Sequence, residues 1–246
     1  MRASAVAEEA TVDGWLVRLS PGKAKRSRSA QALLAGVRPL DDKLGDLRSR
    51  ASRAGLPALV RVTPMSQPLD LDGALAARGW RRFDESLVMA RPLDAIDASP
   101  SASTTLPIRD VDGSAYAAWV GAQRGSSADE IAAHGTRLAG SPVPYLAVQM
   151  QVAGEAIAGA QLAIDGDGRH AGLYDVFVDR AHRRAGHARA LCDALLARAA
   201  GTGATVAYLQ VDAGNAAVAL YRSLGFIEVY RYHDREAPGD GAGPHR

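Results

Sequence analysis

Apolar positions along the chain change their spacing several times, and each change predicts an element. Extended stretches at Trp15–Leu19, Ala58–Thr63 and Glu85–Ala90 alternate with helical ones at Asp42–Ala54 and Leu71–Arg78. The run Asp97–Thr105 (DASPSASTT) is small, polar and aperiodic, which makes it the expected linker. Beyond it, helices are expected at Gly113–Ala122 and between Ala128 and Leu138. Strands follow at Tyr145–Val152, Ala156–Ile164 and Leu173–Val178, with Gly154 and Asp165-Gly166-Asp167-Gly168 as turns, the composition of an antiparallel meander. Ala188, Leu191, Cys192, Leu195 and Ala199 then recur at helical offsets and mark one apolar face, ended by Gly201-Thr202-Gly203. A strand at Val206–Val211 and a helix ending at Leu224-Gly225 complete the pattern. A meander followed by β-α-β-α-β predicts a mixed α/β layer fold in which only some neighbouring strands are parallel.

Composition narrows the partners. The 246 residues are 47% hydrophobic, enough for a core, and carry a formal charge of +2, a near balance that argues against a surface built for nucleic acid. Lys23, Lys25, Arg26 and Arg28 form a local basic cluster, but aromatics are not interleaved with them and Asp41, Asp42, Asp46, Asp70 and Asp72 follow. A solvated loop or a contact to an acidic ligand is the expected role. One cysteine excludes an intramolecular disulfide, and Cys192 lies on the apolar helix face, so packing is its expected role. No Cys/His cluster has metal-ligand spacing, so no metal is expected. The opening residues hold no apolar run of signal-peptide length, and no stretch approaches the ~20 residues of a membrane span. A cytoplasmic protein without a membrane partner is expected, and a homo-oligomer is compatible with the sequence.

The densest chemistry lies at Arg183-Arg184-Ala185-Gly186-His187-Ala188, where a strand ending at Val178 gives way to a helix starting near Ala188. A helix N-terminus leaves backbone N–H groups unpaired, and Gly186 and Ala188 let the backbone approach a ligand, so the turn is an anion site in form. Taken alone it is matched by an ordinary loop with solvated arginines.

Two motifs in order change that balance. Arg183-x-x-Gly186-x-Ala188 resembles the Gln/Arg-x-x-Gly-x-Gly/Ala signature of the GNAT (GCN5-related N-acetyltransferase) superfamily, and Asn215 followed by Leu220-Tyr221-x-x-x-Gly225-Phe226 resembles its second motif. The resemblance spans about Leu106 to Tyr232. Arg184 stands where glycine is usual, Ala188 takes the final glycine position, and Asn215 to Tyr221 is one residue short of the family spacing, so either Gly214 or Asn215 fills the asparagine position. The resemblance implies the GNAT acyl-CoA N-acyltransferase fold, acetyl-CoA as co-substrate, and transfer of its acetyl group to a primary amine by direct attack on the thioester. It implies that Val176, Phe177 and Val178 pair with the pantetheine arm by strand addition, and that Arg183, Arg184, Ala185, Gly186, His187 and Ala188 cradle the pyrophosphate. Asn215 and Tyr221 would also contact the cofactor, with Tyr221 protonating or hydrogen-bonding the CoA sulfur; packing of Tyr221 on the sheet is the alternative.

The general base is less legible. Asp175 is the expected candidate and Asp212 the second, either acting through water, with a solvated or salt-bridged carboxylate at a strand end as the alternative for both; strand alternation would put Asp175 on the face opposite Tyr174, Val176 and Val178. Gln210 occupies a position where some relatives carry glutamate. His182 and His187 read as anion contacts or exposed residues. A non-catalytic acyl-CoA-binding or regulatory module of the same fold is the alternative function, and the acceptor is left open.

The front third, with Asp13-Gly14-Trp15-Leu16-Val17-Arg18 and Lys23 to Ser29, resembles a GNAT subgroup in which a reduced GNAT-like half precedes the catalytic one. Leu75 to Trp80 echoes Leu224-Gly225-Phe226, and nothing equivalent to Arg183–Ala188 precedes residue 97. The expected division is a degenerate half at 1–97, a linker at 98–105, a catalytic domain at 106–236 and a disordered Gly/Pro-rich tail at 237–246.

Overall fold

The computed structural model describes residues 9–20, 25–94 and 106–239. Contacts divide the chain into two compact units, one of residues Val88–Val229 and one that, among the described residues, holds 9–87 and 230–239. Both divisions fall inside strands, β5 (Arg81–Pro92) and β11 (Ile227–Glu236). The polar run expected as a linker lies outside the described residues. At the other end, Ala237 is buried and donates its N–H to the carbonyl of Ala58, so ordered chain extends past Glu236; 240–246 lie outside the described residues.

In the unit that opens the chain, β1 (Glu9–Val12), β2 (Trp15–Arg18), β3 (Ala30–Ala32) and β4 (Leu59–Val62) join β11 and β5 in the order β1-β2-β3-β4-β11-β5. β3 runs parallel to β4 through α1 (Leu40–Arg53), and α2 (Leu71–Ala77) leads into β5. Leu44, Leu47 and Ala51 of α1 meet Trp15, Val17, Val60, Leu71, Leu75 and Trp80 in one core. The β1–β2 turn is Asp13-Gly14, with φ of 45° and 84°, as a two-residue hairpin of this composition requires. Asp13 accepts hydrogen bonds from the backbone N–H groups of Val37 and Arg38 and lies 2.9 Å from the Lys43 ammonium; these contacts, that of Val37 first, hold its pKa at about 2.

A buried ion pair crosses β4 and β11. Arg61 donates to both Asp234 oxygens at 3.1 and 3.2 Å and stacks 4.3 Å from the Tyr232 ring centre. Removing one member of such a pair strands the other charge, so Asp234→Ala is expected to lower the unfolding free energy by about 3–5 kcal/mol, read by equilibrium urea denaturation.

The second unit holds the end of β5, then β6 (Ile108–Val111), α3 (Gly113–Gln123), α4 (Ala128–Ala139), β7 (Tyr145–Val152), β8 (Glu155–Ile164), β9 (His170–Val178), α5 (His187–Gly201), β10 (Val206–Asp212) and α6 (Ala217–Ser223). Its sheet order is β5-β10-β9-β8-β7-β6. β7 to β9 form the antiparallel meander that the spacing predicts, β6 adds antiparallel to β7 without a spacing signal of its own, and β10 is parallel to β9 through α5. Local signals set the helices. Asp112 caps α3 by accepting from Ser114 and Ala115, and Ser127 and Glu130 form a reciprocal capping box on α4. A Cβ at Gly121 would meet Ile131 Cγ1 at 2.4 Å, so the glycine permits the close approach of α3 and α4. Leu191, Cys192, Leu195 and Ala199 are fully buried on the face of α5 that packs on β8 and β9. Burial pushes the Cys192 thiol up to about 12. Native protein at pH 8 is therefore expected to resist iodoacetamide, with labelling appearing only with denaturant, read by mass spectrometry.

No helix among the described residues is long and apolar enough to cross a membrane.

Candidate active site

The site is built where β9 departs from regular geometry. Pairing with β8 is regular to Gln161↔Tyr174 and resumes at Gly159↔Phe177, so three residue steps on β9 face two on β8. The extra residue is a β-bulge, and Asp175 within it takes φ 54°, a left-handed conformation that a non-glycine residue adopts at a cost. The bulge cancels simple alternation. Tyr174 and Phe177 pair with Gln161 and Gly159, which share a face, so Asp175 is not simply opposed to Tyr174, Val176 and Val178 as strand periodicity predicts.

The same point ends the pairing with β10. β9 and β10 are matched from His170↔Val206 to Leu173↔Leu209, where the ladder between these two strands ends. Burial changes at the same place: Ala171 to Tyr174 are buried, Asp175 to Val178 half-buried. Bulges bend and twist the strand that carries them, which accounts for the parting. The β9 edge at Val176–Val178 thus has no β10 ladder beside it, and apart from the Val178 carbonyl, which accepts from Arg183, it offers a strand edge of the kind that accepts an added strand.

The chain then passes through a single 3-10 turn at Arg180–His182 into the Arg183–Ala188 turn. Residues 183–186 are exposed. Gly186 precedes α5 at φ 82° and Arg184 holds φ 66°, so the two left-handed positions alternate through the turn. The position of Arg184 is the one where the family pattern has glycine, and its backbone adopts the conformation glycine favours. Among the described residues, none accepts a hydrogen bond from the backbone N–H of 183–188. Those amides, the positive end of α5 and the exposed Arg183 and Arg184 suit a phosphate-type anion. Arg183 donates through Nε to the Val178 carbonyl at 3.1 Å, and its guanidinium lies 5.8 Å from the Phe177 ring centre, which ties the turn to the open strand. His187 begins α5, and His182 lies 3.1 Å from Asp179.

After β10, Asp212 Oδ1 accepts from the Gly214 N–H, and Asn215 Oδ1 accepts from the Ala217 N–H. The Asn215 side chain thus forms a local turn just ahead of α6, which leaves its NH2 for other contacts. Tyr221 lies one helical turn further on, 8% exposed, with its ring edge-on to Phe226 at 6.2 Å. Its hydroxyl has no hydrogen-bond partner among the described residues, and burial raises its pKa well above that of an ordinary phenol.

Asp175 meets residues that no local motif announces. Its Oδ1 is 2.5 Å from Arg124 Nη2, its Oδ2 accepts from Gln161 Nε2 at 3.4 Å and lies 3.8 Å from His134 Nε2, and its carbonyl accepts from the Tyr116 hydroxyl at 2.6 Å. Below the parting, Tyr174 and Tyr208 hydroxyls are 2.8 Å apart, and Tyr208 donates to Asp165 at 3.0 Å. The Tyr174 ring takes the room a side chain at Gly172 would need, approaching the Cβ position there to 2.6 Å.

Among the described residues no cluster of His, Cys, Asp and Glu could hold a metal ion. Residues 2–234 match the family model described as "Probable histone acetyltransferase Rv0428c C-terminal". No curated protein shows significant sequence similarity. Among solved structures, a GCN5-related N-acetyltransferase from Kribbella flavida superposes with TM-score 0.69 at 18% identity, covering 95% of this chain and 90% of that one. A GNAT-family putative acetyltransferase from Novosphingobium aromaticivorans gives 0.55 at 19% identity, covering 93% and 89%. A tandem GNAT protein from the clavulanic acid biosynthesis pathway gives 0.58 at 17% identity, covering 80% and 68%. At these identities the likeness is one of fold, while the family match spans nearly the whole chain: this protein belongs to the family of the Rv0428c C-terminal region and, with it, to the GNAT superfamily.

Proposed function

We propose that the chain is an acetyl-CoA-dependent N-acetyltransferase acting on a primary amine, with its reaction centre in the unit Val88–Val229. The observation that carries this reading is the junction of two features on one strand. β9 loses its β10 partner at Tyr174, and five residues after its end begins a turn whose amides are unpaired and whose side chains are cationic. In the proposed complex the pyrophosphate takes the amides of Arg183–Ala188, the pantetheine arm pairs with Val176 and Val178, and the thioester comes to lie in the parting. The NH2 of Asn215 is a further cofactor contact.

The amine attacks the carbonyl carbon as its neutral form, the C–S bond breaks, and the amine's proton leaves as the thiolate gains one. Tyr221 supplies a hydrogen bond or a proton to the sulfur. Its raised proton affinity keeps the phenol neutral, the form that donates a hydrogen bond. Asp175 draws the ammonium form of the acceptor to the parting and takes its proton through water. The matching family's description names histones, whose reacting group is a lysine amine; a lysine amine falls within this acceptor class. A cytoplasmic setting belongs to the same reading, as does the opening unit as a reduced GNAT-like half that contributes no second cofactor turn.

A calorimetric titration tests the first half of the proposal. One saturable acetyl-CoA site per chain is expected, weakened by competing pyrophosphate, whereas no binding at millimolar acetyl-CoA would remove the reading altogether.

A further inference from the structure

The Asp175 carboxylate and the ring of Phe177 converge on one cation. Arg124, the residue that closes α3, places its guanidinium 2.5 Å from Asp175 Oδ1 and 5.2 Å from the centre of the Phe177 ring. A carboxylate beside an aromatic face is the arrangement that recognises organic cations, because the charge and the ring quadrupole attract the same group. The two walls are fixed. Asp175 is held by the bulge, by the fully buried Gln161 and by the bond from Tyr116 to its carbonyl, and Phe177 is held edge-on by Trp119 at 5.8 Å, itself anchored by its indole N–H on the Ala156 carbonyl. The guanidinium is the looser member: the Arg124 side chain is 39% exposed against 14% for Asp175. Phe177 also faces Arg183 of the anion turn, so the cation subsite adjoins the strand edge that the proposed cofactor would occupy.

We infer that Arg124 occupies the subsite of a cationic acceptor and sets specificity there, so that an alkylammonium or guanidinium group displaces it in order to bind. The inference rests on the acceptor reaching the parting of β9 and β10, as the proposed function has it. With the Arg124 side chain 39% exposed, the pair is worth about fivefold in an equilibrium, so a substrate cation that gains Asp175 and the Phe177 ring displaces Arg124 readily. Arg124 thereby sets a threshold that a cation meets and a neutral acceptor does not, because only a cation regains the Asp175 carboxylate and the Phe177 ring.

The test uses n-butylammonium as the probe and the Trp119 indole N–H resonance as the reporter, in the full chain without cofactor. Arg124→Ala is expected to bind n-butylammonium about fivefold more tightly than the wild type, n-butanol is expected to bind neither, and adding Asp175→Asn is expected to abolish the gain. Equal affinities for wild type and Arg124→Ala, or a gain that survives Asp175→Asn, would overturn the inference. Because Arg124 is surface-exposed and Asn keeps an oxygen for Gln161, both variants are expected to fold, checked by circular dichroism. In turnover, KM for a cationic amine should fall in Arg124→Ala with kcat held within about threefold. Absence of turnover with every amine would sink the proposed function, while the butylammonium titration would still report on the subsite.

Discussion

Gly186→Val is expected to fold and to bind acetyl-CoA at least about 100-fold more weakly than the wild-type protein. The prediction follows from separating space from conformation. A Cβ at Gly186 meets no atom within 4 Å, so packing tolerates a side chain there. The backbone does not, because φ is 82° and a β-branched residue in that region is strained by about 1–2 kcal/mol. Stability should drop by that amount and no more, since the turn is exposed. Relief of the strain by rotation at residue 186 re-aims the amides on both sides of it. Amide bonds to a charged phosphate are worth about 1.5–3 kcal/mol each, so losing two of them gives the 100-fold or larger effect. Calorimetry reads the affinity and thermal unfolding the stability; wild-type affinity in a folded Gly186→Val protein would mean that the pyrophosphate lies elsewhere.

Tyr221→Phe should leave binding intact and lower kcat by about 100- to 1,000-fold, the range of a positioned proton donor. The phenylalanine ring keeps the edge-on contact with Phe226. Removing the hydroxyl breaks no hydrogen bond among the described residues, so the fold should be as stable as before. A hydroxyl that only fills space would leave kcat unchanged. A hydrogen bond to the sulfur that forms equally before and during transfer would raise KM for acetyl-CoA without touching kcat. The split between the two constants, measured at saturating amine, separates these roles.

Much of this site was readable because its parts are local. The face of α5 follows from residues recurring at helical spacing, and the turn before it is six consecutive residues whose glycine carries the φ that the geometry demands. Asn215 illustrates a middle case: the short spacing to Tyr221 leaves Gly214 and Asn215 as candidates for the asparagine position, and in the fold the Asn215 side chain accepts from the Ala217 N–H just ahead of α6. Other parts depend on contacts distant in sequence. Strands β1, β3 and β6 are 4, 3 and 4 residues long, too short to show a period, and exist because neighbours pair with them. The bulge at Asp175 has no glycine to announce it, and strand alternation consequently misassigns the faces beyond Tyr174. The partners of that carboxylate, Arg124, His134 and Gln161, come from α3's end, α4 and β8. Helical or strand spacing marks each as an ordinary surface or core position, and only the folded meander brings them together.

The most direct test of the account follows the acetyl group itself. Protein and isotopically labelled acetyl-CoA are incubated with a panel of primary amines that includes butylamine, spermidine and a lysine-rich peptide, and free thiol and labelled amine are counted in the same samples. One thiol released per labelled amide formed is expected with at least one cationic amine, saturating in acetyl-CoA and lost in Gly186→Val. Saturable binding of acetyl-CoA with no labelled amide from any amine would contradict it, and would leave a protein that holds the acyl-CoA without transferring the group.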